Sequence, residues 1–137
     1  MPYTMKTTKE MAIASSTLNV SPKHALAICS AINHKNWSTA KTVVQGLAEQ
    51  TRSLEGDLKG KYYSKAASQI SGLLDDIASN ARHRNMDPEK MQLFISAHQG
   101  PRLFRGRRKR KFGMRIKIVH VQAILKPMPE KKKVEKK

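Results

Sequence analysis

Residues 91–126 read MQLFISAHQGPRLFRGRRKRKFGMRIKIVHVQAILK, and the periodicity within them decides the fold. Met91, Leu93, Ile95 and Ala97 alternate with Gln92, Phe94, Ser96 and His98, the pattern of a strand with one buried face. Further on, Ile116 and Ile118 alternate with Arg115 and Lys117, and then Val119, Val121, Ala123 and Leu125 alternate with His120, Gln122 and Ile124. The apolar phase flips between Ile118 and Val119, which predicts a bulge or a change of environment where a strand leaves the domain body. Between the two runs stand nine basic side chains and no acid: Arg102, Arg105, Arg107, Arg108, Lys109, Arg110, Lys111, Arg115 and Lys117. The segment therefore reads as a β-hairpin, 91–126, whose outer part is strongly basic. Paired throughout, arms of about 15 residues at ~3.3 Å each make a finger on the order of 50 Å long. A lone hairpin is marginal in water, so the finger is expected to be mobile until it binds.

Upstream of this segment the period is helical. Ser21-Pro22 supplies an N-cap and a proline at the first helical position, and Ala25, Ile28, Cys29 and Ile32 fall on one face, with polar stop signals at Asn33–Asn36. Ser38 reads as a second cap, followed by Ala40, Val43, Val44, Leu47 and Ala48 in a helix that runs to about Gln50. The clearest stripe lies between Tyr63 and Arg84, where Ala66, Ala67, Ile70, Leu73, Leu74, Ile77, Ala78 and Ala81 share a face. Gly72 inside this helix costs about 1 kcal/mol relative to Ala and suggests a close helix approach. Arg52–Lys61, with only Leu54 and Leu58 to bury, reads as a surface loop, Asp87-Pro88 as a turn, and Ile13–Val20 as a short strand. The expected fold class is α+β: a small antiparallel sheet packed on three helices, with a long extended basic β-hairpin. The expected organisation is an N-terminal extension at 1–11, one domain at 12–126 and a disordered basic tail at 127–137.

The charge balance narrows the function. The chain has 137 residues with 27 Lys or Arg and 10 Asp or Glu, a formal charge of +17. Residues 101–137 hold 15 of the cations and 2 of the acids, so this last quarter carries +13. Such a concentration of like charge calls for a polyanion, a nucleic acid or an anionic membrane surface. No apolar run approaches the ~20 residues needed to cross a bilayer, and Met1–Glu10 lacks the apolar stretch of a signal peptide, so an intracellular protein without membrane insertion is expected. Cys29 stands alone, which excludes an internal disulfide, and its helical neighbours make it a buried packing residue.

Catalysis and metal binding have little support. Asp75, Asp76, Asp87 and Glu89 lie on the polar side of the long helix or in the turn after it, where solvated surface explains them. His24, His34, His83, His98 and His120 are scattered without metal-ligand spacing, and no Gly-rich loop suggests a nucleotide. No cofactor is expected. Within the basic block, Leu103, Phe104, Phe112 and Met114 interleave with the cations, and Gly106 and Gly113 permit close backbone approach, which argues for contact rather than a solvated charge run. Arginine forks bond phosphate bidentately and stack on bases exposed in loops, so six arginines suit folded RNA better than a uniform duplex. If about six cations displaced condensed counterions, log K would fall by about four to five units per tenfold rise in salt.

Several short motifs, in order, carry a resemblance. Ser21-Pro22-Lys23-His24-Ala25 opens one helix, Asn36-Trp37-Ser38-Thr39-Ala40 the next, Lys65-Ala66-Ala67 and Asn80-Ala81-Arg82 start and end the long helix, and Ala97-His98-Gln99-Gly100 ends the strand before the basic hairpin. On these residues the chain resembles the universal large-subunit ribosomal proteins of the L-twenty-two family in their archaeal and eukaryotic form, over about residues 12–126. It departs from that family at the hairpin tip, where Arg108–Arg115 replaces a P-R-A-x-G-R-A-like sequence and a longer return strand, and in a shorter Thr51–Tyr62 loop. The resemblance implies a structural, non-catalytic constituent of the large subunit in the cytoplasm, whose hairpin runs through ribosomal RNA toward the polypeptide exit tunnel. Its implied partners are large-subunit ribosomal RNA, neighbouring ribosomal proteins and, near the tip, the nascent polypeptide, with no homo-oligomer. Lys23, His24 and His98 within the quoted motifs join the nine basic residues as the expected RNA-binding set. The competing reading of the same residues is a free-standing DNA- or RNA-binding regulator with a basic β-arm.

Overall fold

The computed structural model describes residues 5–55, 60–108 and 110–128. Its elements in chain order are β1 (Ala12–Leu18), α1 (Pro22–Ile32), α2 (Trp37–Ala48), α3 (Ser64–His83), β2 (Met91–Gln99), β3 (Leu103–Phe104), β4 (Arg115–Ile116) and β5 (Val119–Pro127), with a 3₁₀ turn at Pro88–Lys90 before β2. An α+β fold results, three helices with a three-stranded antiparallel sheet of order β1-β5-β2 and a two-stranded ribbon of β3 and β4. No helix among the described residues is long and apolar enough to cross a membrane.

β5 lies in the middle of the sheet, with Ala123 opposite Ala14 on β1 and Ile95 on β2. The alternating residues of the sequence pattern, Val119, Val121, Ala123 and Leu125, are all buried, and so are Leu93 and Ile95 beside them. α1 packs on β2 and α3 on β1. The α3 stripe from Ala66 to Ala81 is buried as its period requires, and Leu74, Ile77 and Ile70 are among the largest fully enclosed side chains. Burial of this kind contributes about 1.5–3 kcal/mol for each large aliphatic side chain.

Polar side chains fix how the layers meet. Asn80 Nδ2 donates to the Ile13 carbonyl at 3.0 Å and Arg84 to the Met11 carbonyl at 2.8 Å, tying α3 to the start of β1. The connector Asn33–Asn36 is more than a helix stop. Its His34 N–H donates to the Leu93 carbonyl, the Leu93 N–H donates to the Lys35 carbonyl, and Asn33 Oδ1 accepts from Ile95 N–H. These bonds cover the outer edge of β2, an edge that would otherwise offer unpaired backbone groups to another strand.

Five expectations need correction. α2 begins at Trp37 with Asn36 as its N-cap, not Ser38, because Trp37 is buried and its Nε1–H donates to the Leu74 carbonyl of α3 at 3.0 Å. It ends at Ala48, two residues early, as Gln50 takes a left-handed φ of 59°. Leu54, in the loop read as surface, is part of the core, with its N–H donating to the Lys61 carbonyl, while Leu58 lies outside the described residues. Gly72 makes no close helix approach, since nothing lies within 4 Å of where its Cβ would stand. At the other end, Pro127 and Met91 pair, so β5 runs one residue into the segment read as tail, of which 129–137 lie outside the described residues.

Candidate nucleic-acid interface

The basic ribbon leaves the sheet through a defined break. In the body Gln99 faces Val119, and in the ribbon Leu103 faces Ile116. Three residues, 100–102, thus oppose two, 117–118, which is the count of a β-bulge at the site of the phase flip in the sequence. Pro101 explains why regular pairing stops there, because it has no N–H to give the ladder. Pairing is therefore divided into two ladders rather than continuous along the hairpin. Gly100 is the hinge point between them: its N–H donates to the Ile118 carbonyl at 2.9 Å, and a Cβ on it would meet Ile118 Cγ2 at 2.7 Å and the Ile118 backbone at 3.0 Å.

Beyond the break, Leu103 and Phe104 of β3 pair with Ile116 and Arg115 of β4, and the Arg105 N–H donates to the Met114 carbonyl at 3.0 Å. The tip turn carries Arg107, Arg108, Arg110 and Lys111, all exposed, and Gly113 takes a φ of +76° that suits glycine. Lys109 lies outside the described residues. Phe104 and Phe112 are each 62% exposed, and Leu103 and Met114 about half exposed, so the apolar side chains of the block pack on little within the protein.

The tertiary structure brings a second group of residues to the ribbon. A cleft of about 730 Å³ lies between it and the first turns of α1 and α3, with Phe104, Arg105, Arg115 and Lys117 on the ribbon side. His24 and Lys65 line the body side. The His24 ring stacks on Tyr63 with centroids 4.0 Å apart and planes 16° from parallel, and Tyr63 holds a left-handed φ of 48° immediately before α3. A bulky residue in that region is a backbone outlier, of the kind that clusters at binding sites.

Of the residues expected to bind RNA, then, His24, Arg105, Arg115 and Lys117 share one cleft. Lys23 is exposed one position before His24 but is not part of the wall. Arg102 is exposed at the bulge, and His98 is exposed near it, opposite His120, whose Nδ1 lies 2.8 Å from Thr17 Oγ1. Lys65 was not among the expected site residues, and its only signal in the sequence is its place at the start of the long helix. Among the described residues, Asp75 pairs with Lys41, Glu55 with Arg52 and Asp87 with Lys90, none of these partners being a ribbon residue. Cys29 is buried on α1, and desolvation pushes its thiol up to about 12, so it carries no nucleophile.

A sequence model of the family described as ribosomal protein L22p/L17e matches residues 13–126. The chain belongs to this family. Relatives that carry the name large ribosomal subunit protein uL22 include one from Methanococcus vannielii, 31% identical over 88% of this chain and 89% of its own length. Another, from Methanocella arvoryzae, is 29% identical over 79% of this chain and 83% of its own length, and a third, from Methanosphaera stadtmanae, is 28% identical over 82% and 85%. As a member of the L22p/L17e family the chain is a structural ribosomal protein rather than an enzyme. The matched residues of this L22p/L17e protein include both ladders, the bulge between them and the basic ribbon.

Proposed function

We propose that the protein is a structural constituent of the large ribosomal subunit that binds ribosomal RNA through its basic ribbon and the adjoining cleft, with the ribbon tip directed toward the polypeptide exit tunnel. The observation that carries this reading is the ribbon itself. A family member with nine basic residues and no acid between Arg102 and Lys117 carries them on a ribbon separated by a bulge from a well-packed body. Such a projection is poorly matched to a role inside its own domain and well matched to a polyanion with internal channels. Arg102, Arg105, Arg107, Arg108, Arg110 and Arg115 supply phosphate forks, while Lys23, Lys109, Lys111 and Lys117 add point charge and His24 and His98 add ring donors. Neighbouring ribosomal proteins and the nascent chain near the tip are further partners on this reading.

Sedimentation tests it. Tagged protein expressed in its own cells should co-sediment with the large subunit and remain there through a moderate-salt wash. Recovery mainly in the free pool or on chromatin would favour a free-standing nucleic-acid-binding regulator and overturn the proposal.

A further inference from the structure

The cleft beside the ribbon has features that a charge anchor alone does not need. Arg105, Arg115, Lys117 and Lys65 line it without an acid among the lining residues, and none of the four enters an ion pair among the described residues. Each wall also carries an aromatic ring: Phe104 on the ribbon, largely exposed, and His24 on the body, backed by Tyr63. Val20, Ala66 and Ile116 add apolar lining. The cleft, about 730 Å³ and open to solvent, falls within the roughly 300–1,000 Å³ of small-molecule sites, which leaves room for a nucleotide.

We propose that this cleft takes a single unstacked RNA nucleotide, with its base against Phe104 and His24 and its phosphates on the four cations. The inference rests on the RNA-binding function proposed above and specifies the ligand of that site. Folded RNA offers such nucleotides at bulges and loops, where a base freed from its stack can pack on an aromatic side chain whatever its identity. Phosphate contacts from the cations hold the strand in register, and the rings distinguish an unstacked base from a paired one.

The experiment uses the full chain and two RNA hairpins that differ only in a single-nucleotide bulge midway along the stem, with affinities measured by fluorescence anisotropy at fixed salt. Wild-type protein should prefer the bulged RNA by about tenfold, the scale of one base stacked on an aromatic ring. Phe104→Ala should bring the two affinities close together by weakening the bulged RNA with little change in the salt slope, His24→Ala should narrow the gap while also weakening the unbulged stem, and Phe104→Trp should keep the preference. Phe104 is 62% exposed, so its loss should leave thermal unfolding unchanged, which checks that the variant is folded. Equal affinity of the wild type for both RNAs, or a preference that survives Phe104→Ala, overturns the cleft assignment and leaves RNA binding intact. Failure to bind either RNA overturns the RNA-binding function itself.

Discussion

At Gly72 the helix α3 has open space where a side chain would be, so the glycine contributes only backbone freedom to the unfolded chain. Gly72→Ala should raise stability by about 1 kcal/mol, read as a higher urea midpoint with an unchanged slope. Gly100 is the opposite case. Any Cβ there strikes the Ile118 backbone, so Gly100→Ala should displace the ribbon from the sheet, and faster exchange of the Gly100-position amide would report it. Cys29 gives a pH signature. Its thiol is pushed up to about 12 in the folded protein from 9.0, so between these values the unfolded chain has lost the proton and the folded one keeps it. Stability should therefore fall by about 1.4 kcal/mol per pH unit from this group as pH rises above 9.0, and Cys29→Ala should lose that part of the decline. Equal alkaline decline in both proteins would show that the thiol is accessible in the native state.

Among the elements, the body and the ribbon divide the work of the molecule. α3 and the sheet hold the buried side chains, and Leu74→Ala in α3, creating a cavity at a fully enclosed site, should cost about 2–5 kcal/mol in a denaturation experiment. The ribbon buries almost nothing of its own. Replacing Arg102–Lys117 with Asn-Gly should leave β2 and β5 paired from Met91 to Val119, with helical circular dichroism and a cooperative transition retained. Unfolding on excision would mean that the ribbon is part of the core.

For the whole molecule, the outcome turns on whether the charge of +17 acts as a field or through particular contacts. Changing Arg105, Arg107, Arg108 and Arg110 to lysine keeps the charge and most of the salt slope, but removes the planar forks that bond two phosphate oxygens or stack on a base. Binding to cognate ribosomal RNA should weaken by more than binding to an unrelated RNA, measured side by side at one salt concentration. Equal losses would make the block a nonspecific electrostatic anchor.

Periodicity, charge and punctuation already carry much of this in the linear chain. A strand with one dry face must alternate and a helix against a sheet must repeat every three to four residues, so β2 and the stripe of α3 are legible in the linear chain, as is the phase flip that becomes the bulge at Gly100–Arg102. By contrast β5, the central strand, also buries Gln122 and Ile124 on the face that the alternation assigned to the outside. The acid-free block is legible because charge needs no fold to be counted. What lies beyond reach is whatever depends on two distant segments meeting. Trp37 starts α2 because the Leu74 carbonyl is there to accept its N–H, Leu54 is dry because the core reaches it, and the connector after α1 guards the edge of β2. The cleft is of the same kind: His24 and Phe104 stand out in the sequence separately and Lys65 does not, and they become one site only when the fold sets the first turns of two helices against the base of the ribbon.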